Sequence, residues 1–444
     1  MSISITITDG TDTITIAPSS SDAYLETYQP EAPEINADQI AESLEVTFYG
    51  GNSTVDAAIA KLEKLFTRAR ARAGGLTGIA PVYLKITLDS ATWRSELYGG
   101  KLTETPEWIK GERANGTRSG ALILSRAGHW EDDTERQISL TNDNGTDNTA
   151  GLRVFNINDA SGSSPNKHVN YAEITAAKVS GDLPAPVRIV LTPDAAACQI
   201  DDLMIYHNAF SDPGGLVTIW EDNAGSDVSD ADASGGIYKT RSAGGGQFYR
   251  DVSSIANSAK GNYFRVLARL KGTTGHPNIF KIRAWASDLY NASQAPLTTI
   301  NLNSVLNNLY WFDLGILRLP PNYIPGGITY VSMGLYFGYD CDAADILNID
   351  VVHLAALDGW KRITLLSYMD NGQSLILDEI QNLLYIKNSS GYILRFGSSS
   401  GSPLRVYPGQ LQRFQFIWQK LLTHSSSISQ ALVQLYYRPR RRAL

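Results

Sequence analysis

Cysteine is nearly absent from this chain of 444 residues: Cys198 and Cys341 are the only two, and they lie far apart. No disulfide framework or cysteine-based metal site follows from such a pair, and each thiol reads as a small buried hydrophobe. Long hydrophobic runs are missing too. No stretch of about 18 apolar residues occurs, so neither a membrane-spanning helix nor membrane insertion is expected. Positive charge is in deficit, with 38 Lys and Arg against 45 Asp and Glu and a net charge of -7. A chain of that balance has no bulk attraction to nucleic acid. The opening MSISITITDGTDTITI has no basic segment followed by an apolar core, so it does not read as a signal peptide. The chain is expected to be made in the cytoplasm and to stay soluble there, or to leave by lysis or assembly.

Catalytic fingerprints are also lacking. The histidines at 129, 168, 207, 276, 353 and 424 never fall at metal-ligand spacing on one element. There is no GxSxG, and SAGGGQ is a glycine run without the Lys-Ser/Thr of a phosphate loop. The expectation is a protein that is not an enzyme.

What is present is β-strand pattern. From Tyr263 to Trp360 the chain reads YFRVLARLK, NIFKIRAWA, LYWFDLGILRLPP, ITYVSMGLYFGYD and ILNIDVVHLAALDGW, each run bounded by Gly, Pro, Asn or Asp. In the first, Phe264, Val266, Ala268 and Leu270 alternate with Arg265, Leu267 and Arg269, which suggests one dry and one wet face. Such runs predict a jelly-roll-like β-sandwich. The 22 tyrosines fit an all-β chain with exposed contact surfaces.

In chain order, residues 3–16 predict a hairpin about Asp9-Gly10, and 17–40 a polar arm or loop. EVTFY predicts a strand from Glu45 to Tyr49. One amphipathic helix is predicted over 54–73, with Val55, Ile59, Leu62, Phe66 and Ala69 on one face, Ser53 as its cap and Asp56 in its first turn. Arg68, Arg70 and Arg72 suit its C-terminal end and are candidates for an oligomer contact with an acidic neighbour. Strands are predicted at VYLKITL, WRSELY and ALILS, and a loop-rich excursion at 132–165, in which Asp132 and Asp133 read as solvated. Further strands are LMIYHNAF, LVTIWE, QRFQFIW and ALVQLYY; GDLPAPVRIVL has Val187, Ile189 and Leu191 alternating. Hairpins are predicted about Asp370-Asn371-Gly372 and about Asn388–Gly391. The layout is thus 1–165 with the helix, a sandwich at 166–360, and a small β domain at 361–444. The last either folds separately or completes the first as a discontinuous platform.

The helix followed by a strand pair, WRSEL and ALILSRAGHWE resembles the ring-forming domain of siphophage distal tail proteins and their baseplate relatives. GDLPAPVRIVL resembles their junction with a lectin-like sandwich, and LYWFDLGILRLPP and ILNIDVVHLAALDGW its closing strands. LRVYPGQLQRFQFIW resembles the PGxLNRLxFLW ending of such proteins, with Gln412 where Asn is usual. The resemblance implies a mainly β fold: a ring-forming barrel or sandwich domain with one helix, a jelly-roll-like sandwich, and a C-terminal β domain. It implies a structural virion protein of the tail tip or baseplate, a homo-oligomer (hexamer or trimer), with tail tube and hub or baseplate proteins as partners. The basic tail Arg438-Pro439-Arg440-Arg441-Arg442 and the arm would reach neighbours.

An alternative is a carbohydrate-binding adhesin contacting host surface polysaccharide. Trp220, Trp285, Trp311 and Tyr323, together with Tyr310, are the aromatic candidates for a sugar platform, although each also suits a core. Asp340, Asp342 and Asp345 in YDCDAAD read as a polar loop or as ligands of a structural calcium ion. With Asp350 they are also the carboxylates that a glycoside hydrolase or esterase would need.

Overall fold

Alternation of isoleucine with serine and threonine makes the first ribbon of a barrel. In the computed structural model the described residues are 3–18, 22–28, 38–104, 115–141, 147–155, 170–193, 200–208, 226–230, 233, 236–242, 246–251, 262–287, 292–306, 308–319, 334–340, 345–357, 359–369, 372–419 and 430–444. They form a mostly β chain with one α-helix among them. The chain divides into two units. The first comprises Met1–Arg136, Ser180–Ala185 and Arg438–Leu444; the second comprises Gln137–Val179 and Pro186–Tyr437.

In the first unit, β1 (Ile3–Thr8) and β2 (Thr13–Ile16) pair as the predicted hairpin, register Thr8 to Thr13. The Asp9 carboxylate accepts from the backbone of Thr11 and Asp12 and holds the turn. The segment expected as an arm contributes β3 (Ala23–Tyr28), which pairs with β4 (Gln39–Tyr49). After α1 (Asn52–Ala73) come β5 (Tyr83–Leu88), β6 (Ala91–Glu104) and β7 (Thr117–Ala127). The order β6-β5-β1-β2-β3-β4-β7 closes on itself through β6 and β7, a seven-stranded barrel. Closure leaves no bare edge among these strands. Ile5, Ile7, Ile14, Leu84, Ile86, Val46, Phe48 and Leu122 share one core with Val55, Leu62, Leu65, Phe66 and Ala69 of the helix.

The helix begins two residues before its predicted start. Gly51, at φ 90°, is its cap, and no side chain caps it; Ser53 is already helical. The cause is a close backbone approach: the Gly51 N–H donates to the Gly116 carbonyl at 3.2 Å. Asp56 falls beyond the first turn and pairs with Arg118. At the other end Gly75, also left-handed, stops the helix. Gly100 of β6 is required for helix docking, since a Cβ there would stand 2.5 Å from the Phe66 ring.

Asp132 and Asp133 are not solvated loop acids. β8 (Trp130–Asp132) pairs with β6 on one side and with the C-terminal strand Arg440–Arg441 on the other. Glu131 takes Arg440 at 2.5 Å and Arg94 at 3.3 Å; Asp132 takes Arg136, and Asp133 takes Lys85 at 2.9 Å. Arg438 donates to the carbonyls of Asp132 and Asp133. The basic tail is therefore bound by the acids of its own unit instead of reaching outward.

In the second unit, one seven-stranded sheet runs Asp147–Asn148, Leu140–Thr141, Tyr171–Ile174, Gln412–Gln419, Ile200–Asn208, Trp360–Met369, Ser398–Gly401. Another runs Leu152–Phe155, Gln430–Tyr437, Ala185–Pro193, Ser374–Asp378, Leu383–Lys387, Ile393–Phe396. The predicted hairpin about residue 372 does not form. Trp360–Met369 pairs with Ile200–Asn208, whereas Ser374–Asp378 pairs with Ala185–Pro193, in the other sheet. Leu375, Ile376 and Leu377 are all buried, so this strand needs cover on both faces. The hairpin about Asn388–Gly391 forms as predicted.

Between Ile200–Asn208 and Trp360–Met369 lies the sandwich. One sheet has the order Ser226–Ser229, Ile237–Ser242, Ile346–Ala356, Tyr263–Lys271, Tyr310–Arg318. The other has Gly246–Asp251, Gly334–Asp340, Ile279–Ser287, Ala292–Gln294, with Thr298–Asn301 also on Ile279–Ser287. Phe264, Val266, Ala268 and Leu270 of the first share a core with Phe280, Ile282 and Ala284 of the second. The expected strand LVTIWE lies outside the described residues.

Candidate functional site

The second face of Tyr263–Lys271 is not wet. Leu267, Trp311, Val351 and Ala355 of the sandwich cluster with Met204, Tyr206 and Ile417 of the seven-stranded sheet. The arginines on this face are neutralised where they enter it. Arg269 pairs with the buried Asp350 at 2.7 Å; Arg265 pairs with Asp313 and lies 4.2 Å over the Trp360 ring. Covering this face explains why alternation alone misleads: arginine stems bury well when their heads are paired.

The centre of this seat is polar and hydrogen-bonded, with Gln415 Nε2 left without a partner. The Tyr206 hydroxyl donates to Gln415 Oε1 at 2.6 Å and lies 2.9 Å from His353 Nδ1. Trp311 meets the His353 ring edge-on at 5.0 Å. Burial, with Arg269 adding to it, lowers the His353 pKa to about 3. Burial also lowers His207 to about 4, against its 3.0 Å hydrogen bond to Gln412, and raises the Tyr206 hydroxyl well above its usual range. Groups held neutral across the physiological range are fitted for packing, not for exchanging protons with a substrate. Beside the seat, Asp202, Met204, Leu267, Trp311, Phe312 and Arg362 line a cleft of about 40 Å³. That is room for a few waters. Its charges are paired, Arg362 holding Asp202 at 2.7 Å.

The residues singled out from the sequence fall in different places. Trp311 is 8% exposed and belongs to the seat. Trp285 is half-buried on the other sheet. In the register, Trp285 stands opposite Tyr336, Tyr336 opposite Tyr249, and Gln294 opposite Trp285 on its other side. Ile282 and Ala284 face the core, so the pleat sets Arg283 and Trp285 on the face turned away from it. Arg283 Nη1 donates to Gln294 Oε1 at 2.9 Å. Tyr249 and Tyr336 were missed in the sequence because only the strand register brings them level with Trp285. Trp220, Tyr323 and Asp342 lie outside the described residues.

Asp340 ends the strand Gly334–Asp340 in register with Lys281. Asp345 is buried; its Oδ1 accepts from the Asn278 N–H at 2.9 Å, and its Oδ2 has no hydrogen-bond partner. Among the described residues no group of three His, Cys, Asp or Glu side chains could share a metal ion. An orphaned buried carboxylate oxygen is nevertheless a fitting ligand for a hard cation.

The helix arginines are engaged within their own unit. Arg68 pairs with Asp9 and, at 3.1 Å, with Asp12. Arg70 donates to the Gly100 carbonyl at 2.8 Å, and Arg72 to Glu96 at 2.7 Å and to the Ile79 carbonyl at 2.9 Å.

No family profile matches the chain. No curated protein matches it. Among solved structures, it is similar to a chain of the phage p2 baseplate in its activated conformation, at 9% identity and a TM-score of 0.25, over 76% of this chain and 98% of that one. It is also similar to carbohydrate-binding modules of the β-sandwich superfamily, at 10% identity and a TM-score of 0.22, over 57% and 96%. A third is the exo-beta-1,3-galactanase of Phanerochaete chrysosporium, at 10% identity and a TM-score of 0.21, over 71% and 82%. Superpositions this loose carry no argument about function.

Proposed function

We propose that this chain is a structural subunit of a phage tail tip or baseplate, of distal-tail type. On this reading it is a homo-oligomer in a ring of six or three that meets tail tube and hub proteins in the virion. The observation that carries the reading is the closed barrel with its docked helix. It fits the sheet-and-helix platform that the WRSEL and ALILSRAGHWE resemblance implies, and the strand Arg440–Arg441 extends the same sheet through β8. Electron microscopy of the purified chain and of assembled tail tips tests it. A ring of identical subunits is expected; a strict monomer in every condition, with no ring in the particle, contradicts it.

A second reading is supported by Trp285 on the face turned from the core, with Arg283 and Gln294 beside it: a sandwich that binds host surface polysaccharide. An aromatic face with neighbouring amide and guanidinium groups suits a sugar ring and its hydroxyls. Glycan-array binding by the full chain, lost in Trp285→Ala, is the expected result. No binding by the wild type removes it. We further propose that a calcium ion satisfies Asp345 Oδ2. Calcium would then raise the melting temperature of the wild type but not of Asp345→Asn; an equal response of both, or none, refutes the site.

A further inference from the structure

The strand Ile393–Phe396 ends its sheet: among the described residues it pairs with Leu383–Lys387 on one side and nothing on the other. It carries unusual apolar exposure for an edge. Tyr392 is 73% exposed and Phe396 62%, with Ile393, Leu394 and Leu383 also exposed. An aromatic side chain presents about 150–250 Å² when fully uncovered and an aliphatic one somewhat less, so at these exposures the five residues leave roughly 500 Å² of largely apolar surface along this edge. That is at the upper end for a typical monomer, and more than half of the roughly 800 Å² that each partner gives to a standard interface.

The hairpin is also held in shape. Asn388 Oδ1 accepts from the backbone of Ser390 at 3.1 Å and Tyr392 at 3.0 Å. The Phe396 ring meets Tyr385 edge-on at 6.2 Å, and the Gly397 N–H donates to the Leu384 carbonyl at 2.9 Å. Soluble chains usually guard such an edge with lysine, proline or inward-pointing charge. Here the run GYILRFG has none of these; Arg395 is its one charge. A register shift at Lys387 leaves Leu394 as an extra residue, so side chains, not a long backbone ladder, would supply most of the affinity.

We propose that this edge pairs antiparallel with the same strand of a second copy of the chain. Self-pairing fits the sequence. A two-fold axis between Leu394 and Arg395 sets Ile393 against Phe396 of the copy, a favourable β-branched–aromatic pair. It also sets Arg395 against Leu394 of the copy, so no guanidinium faces another. The contact is isologous and closes on itself. It does not depend on the tail reading. Within a ring it joins two rings back to back; without one it makes a simple dimer.

Sedimentation velocity on the full chain tests this, with Phe396→Glu and Leu394→Lys beside the wild type and circular dichroism as a check on folding. The wild type is expected at an even multiple of 48.4 kDa, and each variant at half the wild-type mass, or with its dissociation constant raised roughly tenfold or more. A ring that halves without losing its rotational symmetry supports the edge and the ring together. A ring whose mass ignores both substitutions overturns the edge alone. A wild type that stays monomeric overturns it as well. Should the charged variants misfold, mild oxidation of an equal mixture of Leu394→Cys and Arg395→Cys decides. A mixed disulfide dimer above the background of Cys198 and Cys341 is expected, and its absence refutes the pairing.

Discussion

Arg126 and Glu42 form an ion pair with neither side chain exposed, and the Arg126 guanidinium lies 4.2 Å over the Trp130 ring. Removing one member of such a pair strands the other charge in the core. Arg126→Leu is expected to cost about 3–5 kcal/mol in denaturant unfolding, and a loss near zero would mean that the core admits water there. Glu131 is under a different balance. Burial alone would raise its pKa, but His129 and Arg440 outweigh it and hold the carboxylate well below its ordinary 4.5. Its stabilisation is therefore present above pH 4.5 and lost as pH falls below it. His207 and His353 are shifted down from 6.5 to about 4 and about 3. The unfolded chain binds their protons first, so stability falls as pH drops from 6.5, by about 1.4 kcal/mol per unit for each ring. The second unit should therefore weaken at a higher pH than the first. In urea melts at graded pH, His353→Gln should flatten that slope by one proton; parallel curves would show that the ring titrates normally.

At the scale of elements, the helix and the barrel depend on each other through Phe66 and Gly100. Gly100→Val is expected to cost about 1–3 kcal/mol by overpacking, whereas Gly10→Ala, with nothing within 4 Å of its Cβ position, should cost less, through its φ of 89° alone. Equal losses would show that the helix does not seat on β6. Elements with one clear period were legible in the sequence. The helix follows from Val55, Leu62, Phe66 and Ala69, and the first ribbon from its alternating isoleucines. The Asn388–Gly391 hairpin follows from its turn. Asp370-Asn371-Gly372 carries an equally good local turn signal, but the strands on either side are drawn into different sheets by partners far along the chain. The basic tail was misread for a related reason. Arg438 and Arg440 find their carboxylates and carbonyls about 300 residues earlier, a pairing that local sequence does not encode.

For the whole molecule, mainly β structure with one helix and a sandwich was legible because strand periods and bounding turns are local. The order of strands was not, since it is set by register and by which faces must be covered. The same holds for candidate sites. The sequence could offer Trp285 and Trp311 as equivalent aromatics; only the topology separates a tryptophan in the seat from one in a row with Tyr336 and Tyr249. A ring-forming platform, as proposed for the barrel, is defined by its symmetry. It is tested most directly by class averages from electron microscopy of the purified full-length chain. Closed rings with six- or threefold symmetry, single or paired, are expected. Isolated particles of one 48.4 kDa chain at every concentration and salt would contradict it.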